Sequence, residues 1–197
     1  MTDCRDQQIK WNQRYASLED ESLPRPADVL LNYQHLLPET GVALDLACGL
    51  GGNALFLAQR GLEAYAWDIS NVVIEKLTGL AASKKVLVRA QVRDVVTQPP
   101  SAQGYDVIVV SRFLQRPLIP NIVAALNSSG LVFYQTFIQE KTGDIGPSNP
   151  EYLLAENELL KLFSGLRILD YREEGLVGNT SLGFRHEAML VGQKKAM

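Results

Sequence analysis

Residues Val42 to Leu57, VALDLACGLGGNALFL, decide the fold. Val42, Leu44 and Leu46 mark a buried strand, and Gly49, Gly51 and Gly52 mark the turn that follows it. From Asn53 to Arg60 the spacing is helical, with Leu55, Ala58 and Gln59 near one another. The turn spells Gly49-x-Gly51-x-x-Ala54, the alanine-ended form of the dinucleotide fingerprint. Glycine turns between strand and helix are common, so the pattern alone names no ligand. Asp45 adds the information: it is a carboxylate near the end of a strand otherwise built for burial, just ahead of the first glycine.

That carboxylate bears on the charge of a ligand. A pyrophosphate at a helix N-terminus is attracted by free N–H groups and by the helix dipole. A neighbouring aspartate repels it, by about 4 kcal/mol per unit-charge pair at about 4 Å in an effective dielectric of ~20. S-adenosylmethionine (SAM) carries an α-ammonium and a sulfonium and no phosphate, so it gains where a dinucleotide loses. The competing account is that Asp45 bonds N–H groups of its own turn. The cationic ligand is the expectation carried forward.

Outward from this stretch, strand and helix alternate, the sign of a parallel sheet covered on both faces. Toward the N-terminus, 3–20 reads as a helix with Trp11, Tyr15 and Leu18 on a narrow stripe, which either packs on the domain or, with Arg14, closes over a ligand. SLPRP breaks the chain, and a second helix follows Pro26, with Val29, Leu30, Tyr33, Leu36 and Leu37 on one face. Residues 1–38 are thus expected to be N-terminal helices covering the site, within one domain spanning 1–197. Toward the C-terminus, strands are expected at 62–67, 86–92, 105–110, 131–137, 166–173 and 183–191. Helices are expected at 71–83, capped by Ser70, at 120–126, and after Asn149 with Pro150 at the first position. TQPPSAQG is too short and proline-rich for a crossover helix. GLVGNTSLG reads as a hairpin, which makes the last strand antiparallel. The polar loop 138–149 has the length that usually carries a function.

Composition narrows the classes. The chain has 197 residues, 46% hydrophobic and 21% charged, which is ordinary for one globular domain. A net charge of −3 with no basic stripe gives no reason to expect nucleic acid. Cys4 and Cys48 lie far apart, and two histidines, His35 and His186, make no zinc pattern. No signal core or membrane span is visible, so the expectation is a soluble, cytoplasmic protein without a metal. The oligomeric state is not readable.

In an open α/β sheet ligands gather beyond the carboxyl ends of the strands. Those ends supply Asp45 with the glycine turn, then Asp68, then Asp94-Val95, then Ser111-Arg112-Phe113, then Thr136-Phe137. Asp68 stands at about the spacing at which an acid binds ribose hydroxyls. Asp94 suits the adenine amine, with Val95 against the ring. Each could instead be a capping or turn aspartate.

ALDLACGLGGN, AWDIS, RDV, YDVIVVSRFL and GLVFYQTF together resemble a class I SAM-dependent methyltransferase. WNQRY and GPSNPEYLLAENELLKLF bring the likeness closer to the tellurite-resistance and thiopurine-methyltransferase-like group. The resemblance implies an α/β, Rossmann-like, three-layer fold with a mostly parallel seven-stranded sheet whose last strand is antiparallel. It assigns the cofactor to Asp45, Gly49, Gly51, Asp68, Ile69, Asp94, Val95 and Ser111. Relatives often carry a basic residue in place of Gly52 and a histidine in place of Gln115. The first change is expected to alter only surface contacts, and the second removes a candidate base.

Methyl transfer from a sulfonium needs alignment more than a protein nucleophile, and a soft acceptor such as a thiolate or chalcogen anion needs no base. The catalytic residues are therefore not named by the sequence. The candidates facing a small-molecule acceptor are Arg112, Phe113, Thr136, Phe137, Arg185 and His186. Arg112, Arg116 and Arg185 suit an anion or are ordinary surface arginines. A SAM-dependent methyltransferase of small molecules, for which the resemblance points to a thiol or chalcogen oxyanion, competes with a non-catalytic SAM sensor and a nicotinamide oxidoreductase. Asp45 argues against the last.

Overall fold

A computed structural model of the chain describes residues 4–17 and 24–196. The strands are β1 (Val42–Leu46), β2 (Glu63–Asp68), β3 (Val88–Val92), β4 (Tyr105–Ser111), β5 (Leu126–Phe137), β6 (Arg167–Arg172) and β7 (Glu187–Gln193). They form one seven-stranded sheet in the order β3-β2-β1-β4-β5-β7-β6. All neighbours are parallel except β7, which runs antiparallel to both β5 and β6. The order reverses between β1 and β4, the switch point where ligands of open sheets collect.

The helices are α1 (Cys4–Ala16), α2 (Asp28–Asn32), α3 (Gly52–Gln59), α4 (Asn71–Ser83), α5 (Ile119–Ala125) and α6 (Glu158–Leu162). Side chains alternate between two apolar layers, as the pleat requires. Ala43, Val107, Val109, Phe133 and Val191 meet Val29 and Leu30 of α2 and Leu57 of α3. Leu44, Leu46, Ile108, Val110, Tyr134 and Leu190 meet Ile119 and Ile122 of α5 and Leu159 of α6. On the first face, Ala66 of β2 packs with Val73, Ile74 and Leu77 of α4. The continuous apolar run of β4, and that of β1 broken only by Asp45, follow from this double cover.

Four expectations change. The helix after Pro26 is only α2 and a 3-10 turn at Gln34–Leu36, because Tyr33 leaves helical geometry at φ −113°. β5 starts at Leu126 rather than 131, pairing with Tyr105 before a register shift. The helix after Asn149 is split. Asn149 caps a 3-10 turn over Pro150–Tyr152, and Leu154 is then drawn into a bridge with Ile138 before α6 begins. The last strand starts at Glu187, since Gly183 and His186 take left-handed backbone at φ +87° and +69°. The missing crossover helix over 97–104 is as the sequence reads, and Leu18 lies outside the described residues. No helix among the described residues is long and apolar enough to cross a membrane.

Candidate functional site

The turn after β1 is closed by the two acidic residues flanking it. Gly51 adopts φ +77°, and a Cβ there would lie 2.3 Å from the side chain of Leu77 on α4. Only glycine therefore lets α3 and α4 approach the turn this closely. A Cβ at Gly52 would meet the carbonyl oxygen of Arg25 at 2.5 Å. A side chain here would push away the segment before α2, which corrects the expectation that this position alters only surface contacts.

Asp45 lies beneath the turn rather than at its mouth. It is fully buried, and its oxygens accept from the Asn53 side chain and the Ala54 N–H, both at 3.1 Å. Burial raises its pKa to about 7 against these two hydrogen bonds, and the Asp68 charge adds to the rise. Asp68 is nearly buried at the end of β2; one oxygen takes the Gly49 N–H at 3.0 Å and the other the Ser70 N–H at 2.9 Å. Burial pushes its pKa up as well, with those backbone bonds opposing. Asp94 differs. Burial raises its pKa, but hydrogen bonds from Cys4, Val96 and Thr97 outweigh that and hold it low. Val95 beside it is buried.

α1 lies across this crevice. Gln8 donates to the Ile69 carbonyl at 3.0 Å, Ser70 donates to Asn12 at 2.7 Å, and Asn12 donates to Asn71 at 2.8 Å. The Tyr15 hydroxyl sits 3.1 Å from where a Gly49 Cβ would be, and burial followed by the Asp68 charge pushes its pKa up. The inward face is thus Cys4, Gln8, Asn12 and Tyr15. Trp11 stacks on Tyr15 at 5.7 Å and carries Arg14 over its ring. Gln8 and Asn12 were not singled out in the sequence, although their spacing with Tyr15 is helical.

Asn53 joins this crevice to the next. It is buried, donates to Asp45 and to the Ser111 hydroxyl at 3.1 Å each, and accepts from the Ala27 N–H at 2.8 Å. Beyond it a cavity of about 170 Å³ is lined by Arg25, Pro26, Ala27, Asp28, Ser111, Arg112 and Gln135. A second cavity shares Asp28 and Arg112 with it and continues to Phe184, Arg185, His186 and Glu187. Arg112 has left-handed backbone at φ +55°, a strain costing about 1–2 kcal/mol for a residue with a Cβ. Its Nε donates to Glu187 at 2.7 Å.

The remaining candidates divide by place. Arg185 reaches the carbonyls of Leu182, Glu174, Gly175, Val177 and Asn179, so it holds its own loop together. Arg116 binds Glu158 and the carbonyls of Glu151 and Leu153. His186 lines the second cavity, with its Nδ1 buried and unpartnered among the described residues. Thr136 is buried in β5, Phe113 accepts the Tyr134 hydroxyl at its carbonyl, and Phe137 lies 5.9 Å from the Arg112 guanidinium. Neither Phe113, Thr136, Phe137 nor Gln115 lines either cavity. Among the described residues no group of three or more His, Cys, Asp or Glu side chains could hold a metal ion.

The strand order, the lone antiparallel β7 and the acids flanking a glycine turn at the switch point define the Rossmann-like fold of class I SAM-dependent methyltransferases. Residues 17–182 match the family model described as tellurite resistance protein TehB, and the chain belongs to that family. It is 27% identical over 136 residues to the probable SAM-dependent methyltransferase TehB of Haemophilus influenzae, covering 66% of this chain and 47% of that protein. It is 32% identical over 133 residues to the trans-aconitate 2-methyltransferase of Variovorax paradoxus, covering 64% of this chain and 50% of that one. The chain therefore spans about half the length of the curated relatives it matches. The crystal structure of Haemophilus influenzae TehB superposes with a TM-score of 0.70 at 23% identity, covering 94% of this chain and 67% of that one.

Proposed function

We propose that this chain is a SAM-dependent methyltransferase of a small molecule, holding SAM in the crevice under α1. The observation that carries the reading is Asp68, whose two oxygens clasp the glycine turn on one side and the start of α4 on the other, with Asp45 buried below. A crevice floored by two carboxylates suits a ligand with a cationic end and repels a pyrophosphate. In this reading Asp68 and Ile69 receive the ribose side, Asp94 and Val95 the adenine, and Gly49, Gly51 and Ser111 the amino-acid end. Gln8, Asn12 and Tyr15 of α1 cover it.

SAM supplies a methyl group on a sulfonium whose departure leaves a neutral thioether. What remains for the chain is to hold an acceptor in line and keep water out. The two cavities beside Ser111 and Arg112 are where the acceptor would sit. A thiol or a chalcogen oxyanion is the proposed acceptor class, supported by membership of the TehB family and by the absence of any need for a base with soft nucleophiles. The test is incubation with methyl-labelled SAM and a panel of thiols, selenium and tellurium oxyanions, carboxylates and amines. Labelled product from a thiol or chalcogen supports the full reading. Product from a carboxylate or amine alone keeps the methyltransferase and overturns the acceptor class. Cofactor binding without any product leaves a SAM-holding sensor.

A further inference from the structure

We propose that Glu187 is a positioning residue for acceptor recognition: it fixes the Arg112 guanidinium and offsets its charge, so that the site takes acceptors of a single negative charge over more highly charged anions. The inference rests on the methyltransferase reading, since it places the acceptor beside Ser111 and Arg112.

Three observations carry it. Glu187 is 5% exposed, while the Arg112 side chain bonded to it is 66% exposed. A buried carboxylate thus anchors an exposed cation at the wall shared by both cavities. The grip is on Nε alone, at 2.7 Å, and Nη1 and Nη2 bond no described residue. A guanidinium held at Nε keeps those two nitrogens as a planar fork, the arrangement that binds two oxygens of one anion.

Glu187 is itself held in place. Its second oxygen closely accepts from the Gln135 amide nitrogen, and the Gln135 amide oxygen accepts the Val29 N–H at 2.8 Å. The carboxylate therefore has each oxygen committed, one to the arginine and one to a chain of bonds ending in α2. The Arg112 N–H also donates to the Gln135 carbonyl at 2.8 Å, so backbone and side chain are tied to the same neighbour.

The charges around the cavity then decide the selectivity. Arg25 pairs with Asp28 at 3.3 Å, and Arg112 pairs with Glu187. Two cations and two carboxylates leave no net charge. One anionic group gains the free fork, whereas a second negative charge meets Asp28 and Glu187, and the further cation on these walls, Arg185, is committed to Glu174 and to the carbonyls of its own loop. The alternative role for Glu187 is purely structural, fixing the start of β7.

The two roles separate in a titration of the full chain with benzoate and with phthalate, each with and without S-adenosylhomocysteine. The wild type is expected to prefer benzoate, and Glu187→Gln, which keeps the shape, to shift the affinity ratio toward phthalate by about tenfold. Glu187→Asp should restore the preference toward that of the wild type. The exposed Arg112→Ala variant should lose both anions while keeping S-adenosylhomocysteine. An unmoved ratio in Glu187→Gln, a wild type that binds no benzoate or prefers phthalate, or anion binding retained in Arg112→Ala overturns the proposal. Failure of S-adenosylhomocysteine to bind the wild type instead contradicts the methyltransferase reading, and the anion ratio measured without it is a separate result.

Discussion

The Gly49 N–H points at the carboxylate of Asp68 from 3.0 Å, so the glycine turn after β1 and the end of β2 are joined by one bond across the mouth of the crevice. Asp68 is the residue through which the cofactor reading is most exposed to test. Asp68→Ala removes both of its backbone contacts, each a charge-assisted bond worth about 1.5–3 kcal/mol. Affinity for S-adenosylhomocysteine should fall by about 100-fold or more, read by calorimetry.

Asn53 serves three partners, and its removal should be felt as stability. Asn53→Ala leaves a buried Asp45 oxygen and the half-buried Ala27 N–H and Ser111 hydroxyl each short of a bond. A loss of about 1–3 kcal/mol follows. In a domain of this size that lowers the thermal midpoint by about 2–4 °C per kcal/mol, measurable by calorimetric melting.

The pH dependence of stability has a defined sign. Asp45 rises from 3.8 to about 7 on folding, chiefly through burial. The folded chain therefore binds its proton more tightly than the unfolded chain does. The stability this contributes is full below about pH 4 and is lost as pH rises through about 7. Asp68 is shifted in the same direction, so it adds to the fall. Asp45→Asn should flatten the decline between pH 5 and 8 in urea melts, though not abolish it. A slope equal to that of the wild type would falsify this assignment.

Arg185 should behave as a structural residue. Arg185→Ala frees the carbonyls of Glu174, Gly175, Val177 and Asn179 and should open the segment between β6 and β7 to limited proteolysis. Arg112→Ala should leave the cleavage pattern unchanged, because Arg112 is exposed and, among the described residues, its side chain hydrogen-bonds only Glu187.

The legible part of the molecule was local. β1, its glycine turn, β2 and the Ser70 cap of α4 are all specified within a few residues of themselves, and Ser70 accepts the Val73 N–H as the sequence suggests. The less legible part depends on distant partners. Asn53 meets Ser111 58 positions away, Val29 meets Gln135 106 away, and Gln135 meets Glu187 52 away. Nothing near Asn53, Gln135 or Glu187 in the chain marks these polar residues as a network. The position of Asp45 is legible in the sequence, but not that both of its oxygens turn into the start of α3. The sequence marks the stripe of α1 by Trp11 and Tyr15, whereas Gln8 and Asn12 make its bonds to the site.

Whether the crevice under α1 holds SAM is tested most directly by titrating S-adenosylhomocysteine into the full chain in a calorimeter. Saturable heat at one site, with a Kd in about the micromolar range and loss in Asp68→Ala, is the predicted result. No heat with S-adenosylhomocysteine or SAM, under conditions where the chain is folded, would contradict the account.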